Sequence, residues 1–381
     1  MKLLKASFKV FDISYLSVDS IQEGVGASQI VPLVKALASQ GKNVCLTTCE
    51  KLPPPNSLKL ELADAGVSWI VLEYGKNGAV HGLLRLGKLF LNMPNANIIH
   101  ARSDIPAVAA VFRFPSGKIL WDVRSLWADQ RRIIDSRGWN RATAGAAKFL
   151  ERIAASRSTA ITTLTHAVVP VLEKRYRKLP VIREVIPTCT QLDKFQVSKM
   201  PKEPLICLLP GTFNNFYDLD EMRLIISNLR ELSQLKIIWA KPKESTTSSL
   251  DVGEDSVITA AYKDMPAMFH DSHFGLIICK SDNLEVLTAV APTKVAEFLA
   301  SGRPILVSKG IGDLDSLIET YKVGVSLEPG VDMHNSLLRF MELLKDPEIH
   351  IRCRQLAEEM FSMASAVEKY TSIYRKMALN D

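Results

Sequence analysis

Three polar residues, Thr293, Lys294 and Glu297, stand near the start of an otherwise apolar helical pattern in PTKVAEFLASGRPILVS, residues 292–308. Apolar residues recur on one face, so the pattern predicts a helix from Thr293 to Gly302, then a short buried strand. If Thr293 caps this helix, its free N–H groups and positive dipole end favour an anion. Lys294 is either a screened surface lysine or a partner of that anion. Glu297 could accept two hydrogen bonds from the vicinal hydroxyls of a ribose, so the segment predicts a site for a nucleoside diphosphate.

Charged residues also end two predicted strands in the first half of the chain. Asp122 and Arg124 end KILWDVR, and His100 and Arg102 end NIIHAR. Either arginine could neutralise phosphate oxygens with its planar guanidinium fork. The alternatives are that Arg124 simply pairs with Asp122, and that His100 is a buried, hydrogen-bonded histidine.

Glycines mark two turns that could let the backbone approach a ligand. Gly24 and Gly26 lie in the loop SVDSIQEGVGASQ, before a helix whose N–H groups face the same spot. The loop is a poor dinucleotide fingerprint, because Gln29 takes the third glycine position and the preceding strand ends too early. A nicotinamide-dependent dehydrogenase is therefore disfavoured. Gly312, in KGIGD, is either a flexible turn at a cleft edge or a tight strand-to-helix connection.

The sequence gives little support for a metal or a disulfide. HDSH at 270–273 offers two histidines without a third ligand. The DLD segments at 218–220 and 313–315 fit helix N-caps better than metal ligands. The six cysteines are scattered without metal-site spacing, which is typical of reduced packing residues. We expect no metal and no cofactor.

Composition and charge limit the class of protein. The chain has 381 residues, 47% of them apolar, which is enough for two domains with their own cores. The net charge of +6 is too small to indicate nucleic-acid binding. Basic residues concentrate between Arg124 and Arg183, so this region either attracts acidic phospholipids or a phosphorylated substrate, or forms ordinary solvated helix faces. No apolar run is long enough to span a membrane and no signal peptide precedes the first strand, so we expect a cytoplasmic protein.

Apolar, β-branched runs alternate with amphipathic runs along the whole chain, which is typical of a doubly wound α/β fold. The polar, proline-containing stretch QLDKFQVSKMPKEP reads as a linker, and 241–255 as a loop. We predict an N-terminal Rossmann-like domain over 1–195, a second one over 203–360, and a C-terminal helix over 361–381 that packs back on the first domain. Two such domains would face each other across a cleft at the carboxyl edges of their sheets.

The segment APTKVAEFLASGRPILVSKGIGDLDSLIE resembles the donor-binding segment of family 4 of the retaining glycosyltransferases, which have the GT-B fold. The segments EGVGASQIVPLVKALASQGKNV and TAITTLTHAVVPVLEKRY are similar to parts of the N-terminal domain of that family, so the resemblance covers nearly the whole chain. Two departures stand out. Ala289 replaces a glutamate that the family commonly has, with Glu285 as a distant substitute, and PGTFNNFYDLD lacks an expected arginine and lysine.

The resemblance implies roles for individual residues. Glu297 would bind the donor ribose, and the backbone near Thr293 and Lys294 the diphosphate. Lys241 and Gly312 complete the expected donor side, and Gly24, Gly26 and Arg102 the acceptor or phosphate side. The expected catalytic candidates are His100, Asp122 and Arg124.

The resemblance also implies an activity. We expect a metal-independent, hexosyltransferase-like enzyme of polysaccharide biosynthesis that transfers a sugar with retention from a nucleoside-diphosphate sugar to a hydroxyl of a glycan or lipid-linked acceptor. An anionic membrane surface at the inner face of the membrane is a further candidate partner, whereas nucleic acid is not. The alternatives are a nucleotide-sugar epimerase and a non-catalytic relative that binds the nucleotide sugar, which the loss of a glutamate at Ala289 would favour.

Overall fold

A computed structural model of the chain describes residues 10–134, 139–213, 216–241, 256–280, 284–328 and 332–379. Most of the expected loop at 241–255 and part of the basic segment around residue 135 lie outside these ranges. The described residues form two open parallel sheets with helices on their faces. This architecture confirms the predicted fold of two doubly wound α/β units.

The first sheet has seven strands in the order β3-β2-β1-β4-β5-β6-β7, all parallel. Its strands are β1 (Phe11–Leu16), β2 (Val44–Glu50), β3 (Val67–Glu73), β4 (Ala96–Arg102), β5 (Ile119–Asp122), β6 (Ala160–Thr163) and β7 (Ile182–Val185). Its helices are α1 (Val31–Ser39), α2 (Asn56–Asp64), α3 (Ala79–Asn92), α4 (Asp104–Arg113), α5 (Trp127–Ile134), α6 (Trp139–Arg157) and α7 (Val169–Arg175). The strand order reverses between β1 and β4, which is where open α/β sheets form a ligand crevice.

The second sheet has six strands in the order β10-β9-β8-β11-β12-β13. Its strands are β8 (Leu205–Pro210), β9 (Leu235–Lys241), β10 (Ser256–Thr259), β11 (Phe274–Ile277), β12 (Ile305–Ser308) and β13 (Gly324–Leu327). The helices of this half are α8 (Leu219–Leu232), α9 (Met265–Asp271), α10 (Leu284–Thr288), α11 (Thr293–Ala300), α12 (Leu314–Tyr321), α13 (Met333–Leu344) and α14 (Ile349–Met360), and α15 (Met363–Leu379) follows.

The central strands are buried on both faces because helices cover each sheet from both sides. Every residue of β2, β5, β11 and β12 is buried. Such strands read as continuous apolar runs, which is why the sequence pattern identified them. In the second half, Phe298 of α11 packs in the core, and a side chain at Gly275 of β11 would come within 2.1 Å of its ring.

The last helix crosses back to the first sheet. Near the crossing, the N–H of Met363 donates to the carbonyl of Thr190 at 2.9 Å. Tyr370 and Tyr374 of α15 then share an apolar cluster with Ile13 of β1. The domain boundaries that we placed at 195, 203 and 360 stay predictions.

Contacts at one edge tie the two halves together. The carboxylate of Asp313 accepts hydrogen bonds from the N–H groups of His166 and Ala167 at 2.7 and 2.9 Å. Arg175 forms an ion pair with Glu285 at 2.8 Å. Asp313 does take the N-cap position of α12, but its side chain caps residues of the other half and makes no cap bond within its own helix.

Candidate functional site

A cleft of about 1340 Å³ lies between the two halves and is lined by residues of both. Six of the residues singled out in the sequence line it: Gly24, Arg102, Arg124, Thr293, Lys294 and Glu297. The other five do not: Gly26, His100, Asp122, Lys241 and Gly312. The structure therefore brings together the helix start of the second half and two arginines of the first.

The start of α11 opens on the cleft. Pro292, not Thr293, takes the N-cap position, because its extended backbone (φ −65°, ψ 128°) precedes the first helical residue. Thr293 therefore contributes its backbone and not a capping side chain. The N–H groups of Thr293 and Lys294 have no acceptor in the described part of the chain, so they could bind an anion there. The helix ends at Ala300 and Gly302 follows with φ 73°, which confirms the predicted stop.

The ammonium group of Lys294 lies between two aromatic rings. Its Nζ is 4.8 Å from the ring centre of Phe213 and 4.5 Å from that of Tyr217. This Nζ is buried and has no hydrogen-bond partner among the described residues. The rings stabilise the cation by their quadrupoles but satisfy none of its three N–H donors. The donors thus remain for an anionic ligand in the cleft.

Glu297 lies one turn further along α11 and is 7% exposed. Burial raises the pKa of its carboxyl group to about 8, although the charge of Lys294 acts in the opposite direction. No described residue donates a hydrogen bond to this carboxyl group, although it lines the cleft. A ligand with two adjacent hydroxyls would provide the missing donors.

The opposite wall carries the two arginines, and a buried carboxylate holds them. The carboxylate oxygens of Asp122 lie 3.5 Å from Nη1 of Arg124 and 3.8 Å from Nη1 of Arg102. The same carboxylate accepts a hydrogen bond from the hydroxyl of Thr162 at 3.0 Å. Burial alone would raise the pKa of Asp122, but Arg124, His100 and Arg102 outweigh it and lower this pKa strongly. Asp122 is fully buried and does not line the cleft, where it holds the two arginines, so its expected catalytic role stays a prediction.

His100 is also fully buried and does not reach the cleft. Its Nδ1 lies 2.6 Å from the hydroxyl of Tyr374. The centre of its ring lies 4.3 Å from the ring centre of Tyr15 and 4.9 Å from that of Tyr370. Burial lowers its pKa, against the effect of Asp122. The histidine that we expected to be catalytic therefore belongs to the interface between β4 and α15.

The glycine loop places one glycine at the cleft and one beneath it. Gly24 has φ 58°, and a side chain there would meet no atom within 4 Å. Gly26 is buried, and a Cβ on it would lie 1.9 Å from the carbonyl oxygen of Ser20, so it allows the loop to pack rather than lining the cleft. Glu50 holds the loop by accepting hydrogen bonds from Ser20 Oγ at 2.5 Å and the N–H of Ile21 at 3.1 Å.

Two residues that we expected on the donor side lie elsewhere. A Cβ on Gly312 (φ 50°) would come within 2.5 Å of the carbonyl oxygen of Val290 and 2.6 Å of Thr165 Cγ2, so this glycine is a tight connection between the halves. Lys241 ends β9, with its Nζ 6.0 Å from the ring centre of Trp239.

Ala289, where the resembling family commonly has a glutamate, is buried in an apolar cluster. Glu285, the distant substitute for that glutamate, is exposed and forms an ion pair with Arg175.

The sequence analysis missed a further carboxyl group on the cleft wall. Asp104 begins α4, is 5% exposed and accepts a hydrogen bond from Trp121 Nε1 at 3.1 Å. Burial and the neighbouring Glu151 raise its pKa well above the ordinary value. The preceding residue, Ser103, has φ 70°, a strained conformation that is frequent at functional sites. An aspartate two residues after the strand-end Arg102 was the available signal.

Metal ligands do not converge in the described ranges: no three histidine, cysteine, aspartate or glutamate side chains form a group that could hold an ion. One histidine of HDSH has a structural role, because His273 Nδ1 accepts a hydrogen bond from the N–H of Ile206 at 3.0 Å and its Nε2 lies 3.1 Å from the carbonyl oxygen of Pro201.

No described helix is long and apolar enough to cross a membrane.

No protein-family model and no curated protein sequence matches the chain. Solved structures do. Sucrose-phosphate synthase from Thermosynechococcus elongatus superposes with a TM-score of 0.71 at 13% identity, over 96% of this chain and 98% of that one. The chain has the GT-B fold. WaaG, a glycosyltransferase involved in lipopolysaccharide biosynthesis, superposes with a TM-score of 0.67 at 11% identity, over 95% of this chain and 99% of that one. Anabaena HepE in complex with UDP-glucose superposes with a TM-score of 0.66 at 12% identity, over 96% of this chain and 100% of that one. At these identities the likeness establishes the GT-B fold alone.

Proposed function

We propose that this GT-B protein is a glycosyltransferase that transfers a sugar from a nucleoside-diphosphate sugar to a hydroxyl acceptor. The observation that carries the proposal is the start of α11. Two free backbone N–H groups, the ammonium of Lys294 without a hydrogen-bond partner and the carboxyl group of Glu297 without a donor all belong to residues that line one cleft. A diphosphate attached to a ribose matches these three groups in order along the helix.

The diphosphate would bind at the N–H groups of Thr293 and Lys294, and the ribose hydroxyls at Glu297. Charge builds up on the diphosphate as the bond to the sugar breaks, so the helix start and Lys294 would stabilise the transition state more than the bound substrate. Arg102 and Arg124, held by Asp122, face this charge from the other wall. These groups could supply the required positive charge without a metal.

The acceptor would enter along the wall that carries Gly24 and Asp104. We extend the proposal to a hexosyl donor, to transfer with retention as in family 4, and to a glycan or lipid-linked acceptor in polysaccharide biosynthesis, with the enzyme at the inner face of a membrane. The family resemblance supports these details. HepE, whose structures contain UDP and UDP-glucose, supports testing uridine nucleotides first.

A thermal-shift panel of nucleoside-diphosphate sugars tests donor binding. A ligand at a hundred times its dissociation constant adds about 2.7 kcal/mol to the free energy of unfolding. We expect at least one nucleotide sugar to raise the midpoint, and Glu297→Ala to abolish that shift. If no nucleotide sugar shifts the midpoint, the proposed donor site is wrong.

Incubation of the best donor with candidate acceptors then tests transfer. Formation of a glycosylated acceptor supports the transferase. A donor isomer formed without acceptor would instead identify an epimerase, and binding without any reaction would identify the non-catalytic relative that Ala289 favours.

A further inference from the structure

Among the side chains that the structure describes, every solvent-facing charge on α3, α4, α5 and α6 of the first half is positive. These four helices contain only three carboxylates in their sequence, and all three are buried: Asp104, Asp129 and Glu151. Arg113, Arg152 and Arg157 are exposed, and no carboxylate pairs with any of them within the described residues. The helices α3, α4 and α6 pack side by side on one face of the first sheet, and we call their outer surface the α3–α4–α6 face.

The same face exposes large apolar side chains. On α3, exposure reaches 66% for Val80, 66% for Leu83, 52% for Leu84 and 76% for Leu91. The spacing of these residues puts them along one side of the helix. A solvent-facing helix side is normally polar, so this side lacks the partner that its composition requires.

The neighbouring helices extend the patch. Phe112 of α4 is 44% exposed and Phe149 of α6 is 62% exposed. The guanidinium of Arg157 lies 5.9 Å from the ring centre of Phe112, so charged and apolar groups alternate on this surface.

Charge decides between the candidate occupants of the face. A second copy of this chain would bring the same unpaired arginines against each other. A bilayer with anionic headgroups instead offers negative charge to the arginines and an apolar layer to the leucines, which is the combination that interfacial helices bind.

We propose that the α3–α4–α6 face docks on an anionic lipid bilayer, with Leu83, Leu84 and Leu91 inserted below the headgroups. Gly78 and Gly82, at the start of α3, also line the cleft, so docking places the cleft mouth beside the membrane. Docking would thus select the lipid-linked acceptor among the acceptors of the proposed function. Only this choice of acceptor rests on the proposed function; the docking itself does not.

Co-sedimentation of the full chain with vesicles tests the docking. We compare phosphatidylcholine vesicles with vesicles of phosphatidylcholine and phosphatidylglycerol in equal amounts. Binding should require phosphatidylglycerol and weaken with added salt. Each of Arg113→Gln, Arg152→Gln and Arg157→Gln should weaken binding about fivefold, equivalent to about 1 kcal/mol per basic residue.

The apolar contribution has its own matched control. The double variant L83S/L84S should weaken vesicle binding by about tenfold or more, since each exposed leucine contributes burial energy in the interface. Leu224→Ser, at a leucine that is 50% exposed on α8 of the other half, should leave binding unchanged. Both are surface substitutions, so circular dichroism should show unchanged folding.

Three results would overturn the docking proposal. The first is the absence of binding to phosphatidylglycerol vesicles, and the second is binding that L83S/L84S and Leu224→Ser affect equally. The third is a dimer in light scattering that L83S/L84S dissociates, which would identify a second copy as the occupant. Binding of UDP-glucose, measured in parallel without vesicles, reports on the proposed donor site separately, so the two proposals can fail independently.

Discussion

The carboxyl group of Glu297 should make nucleotide binding and stability depend on pH in opposite directions. Burial raises its pKa from the ordinary value of 4.5 to about 8. The protein without ligand therefore keeps this group mostly protonated at pH 7. A ribose diol donates two hydrogen bonds and favours the carboxylate, so binding must first ionise the group, which costs about 1.4 kcal/mol at one pH unit below its pKa.

Affinity for the best nucleotide sugar should consequently rise about tenfold between pH 7 and pH 9 in the wild-type protein. In Glu297→Gln the affinity should be lower, and the contribution of this site to the pH dependence should disappear. Isothermal titration calorimetry of both proteins across this range measures the difference. Parallel pH profiles in the two proteins would refute the assignment of the ribose to Glu297.

Stability should change with the opposite sign. Between pH 4.5 and pH 8 the folded protein holds this proton more tightly than the unfolded chain, so the free energy of unfolding falls as pH rises through that window. The whole shift corresponds to roughly 5 kcal/mol. Glu297→Gln removes the effect, so the variant should gain stability relative to wild type from pH 5 to pH 8.

Thermal unfolding at several pH values checks this trend. Each kcal/mol moves the midpoint of a domain of about 150–250 residues by about 2–4 °C. Glu231→Gln, on an exposed position of α8, is the matched control and should show a constant difference from wild type. A constant difference for Glu297→Gln as well would mean that the carboxyl group is not held in a desolvated site.

Three further predictions address the corrected site. Lys294→Met should weaken UDP binding by about tenfold or more in calorimetry, because charged hydrogen bonds to phosphate are lost, whereas Lys309→Met on the surface should not; equal effects would remove Lys294 from the site. In chemical denaturation, Gly24→Ala should lower the free energy of unfolding by roughly 1 kcal/mol because of its positive φ. Gly26→Ala should lower it by more, because of these two glycines only Gly26 lacks room for a Cβ. Equal losses would contradict that packing. His100→Gln should lower stability by about 1–3 kcal/mol and change UDP affinity less than Lys294→Met does, and the reverse result would restore a role in binding.

The fold and the start of α11 were predictable from the sequence because they depend on local patterns. Buried parallel strands read as apolar runs, and Gly302 ended its helix as expected since only glycine readily adopts that positive φ. Glu297 and Lys294 reached the cleft because α11 returns in the crossover from β11 to β12, so that it starts at the ligand-binding edge of the sheet.

The remainder depended on contacts between residues far apart in the sequence. His100 is buried because Tyr374, on a helix that returns from the end of the chain, closes over it. The cation site of Lys294 requires Phe213 and Tyr217 from the loop after β8, whose aromatic residues gave no indication of their partner. Gly312 appeared to line the cleft because the sequence could not show Thr165 of the other half packed against it.

A crystal structure of the protein with the nucleotide sugar that gives the largest thermal shift tests the central claim most directly. We predict that the ribose hydroxyls lie within hydrogen-bond distance of the Glu297 carboxylate, and that the diphosphate lies on the N–H groups of Thr293 and Lys294. A nucleotide bound elsewhere, or in the cleft with its ribose away from Glu297, would contradict the proposed donor site.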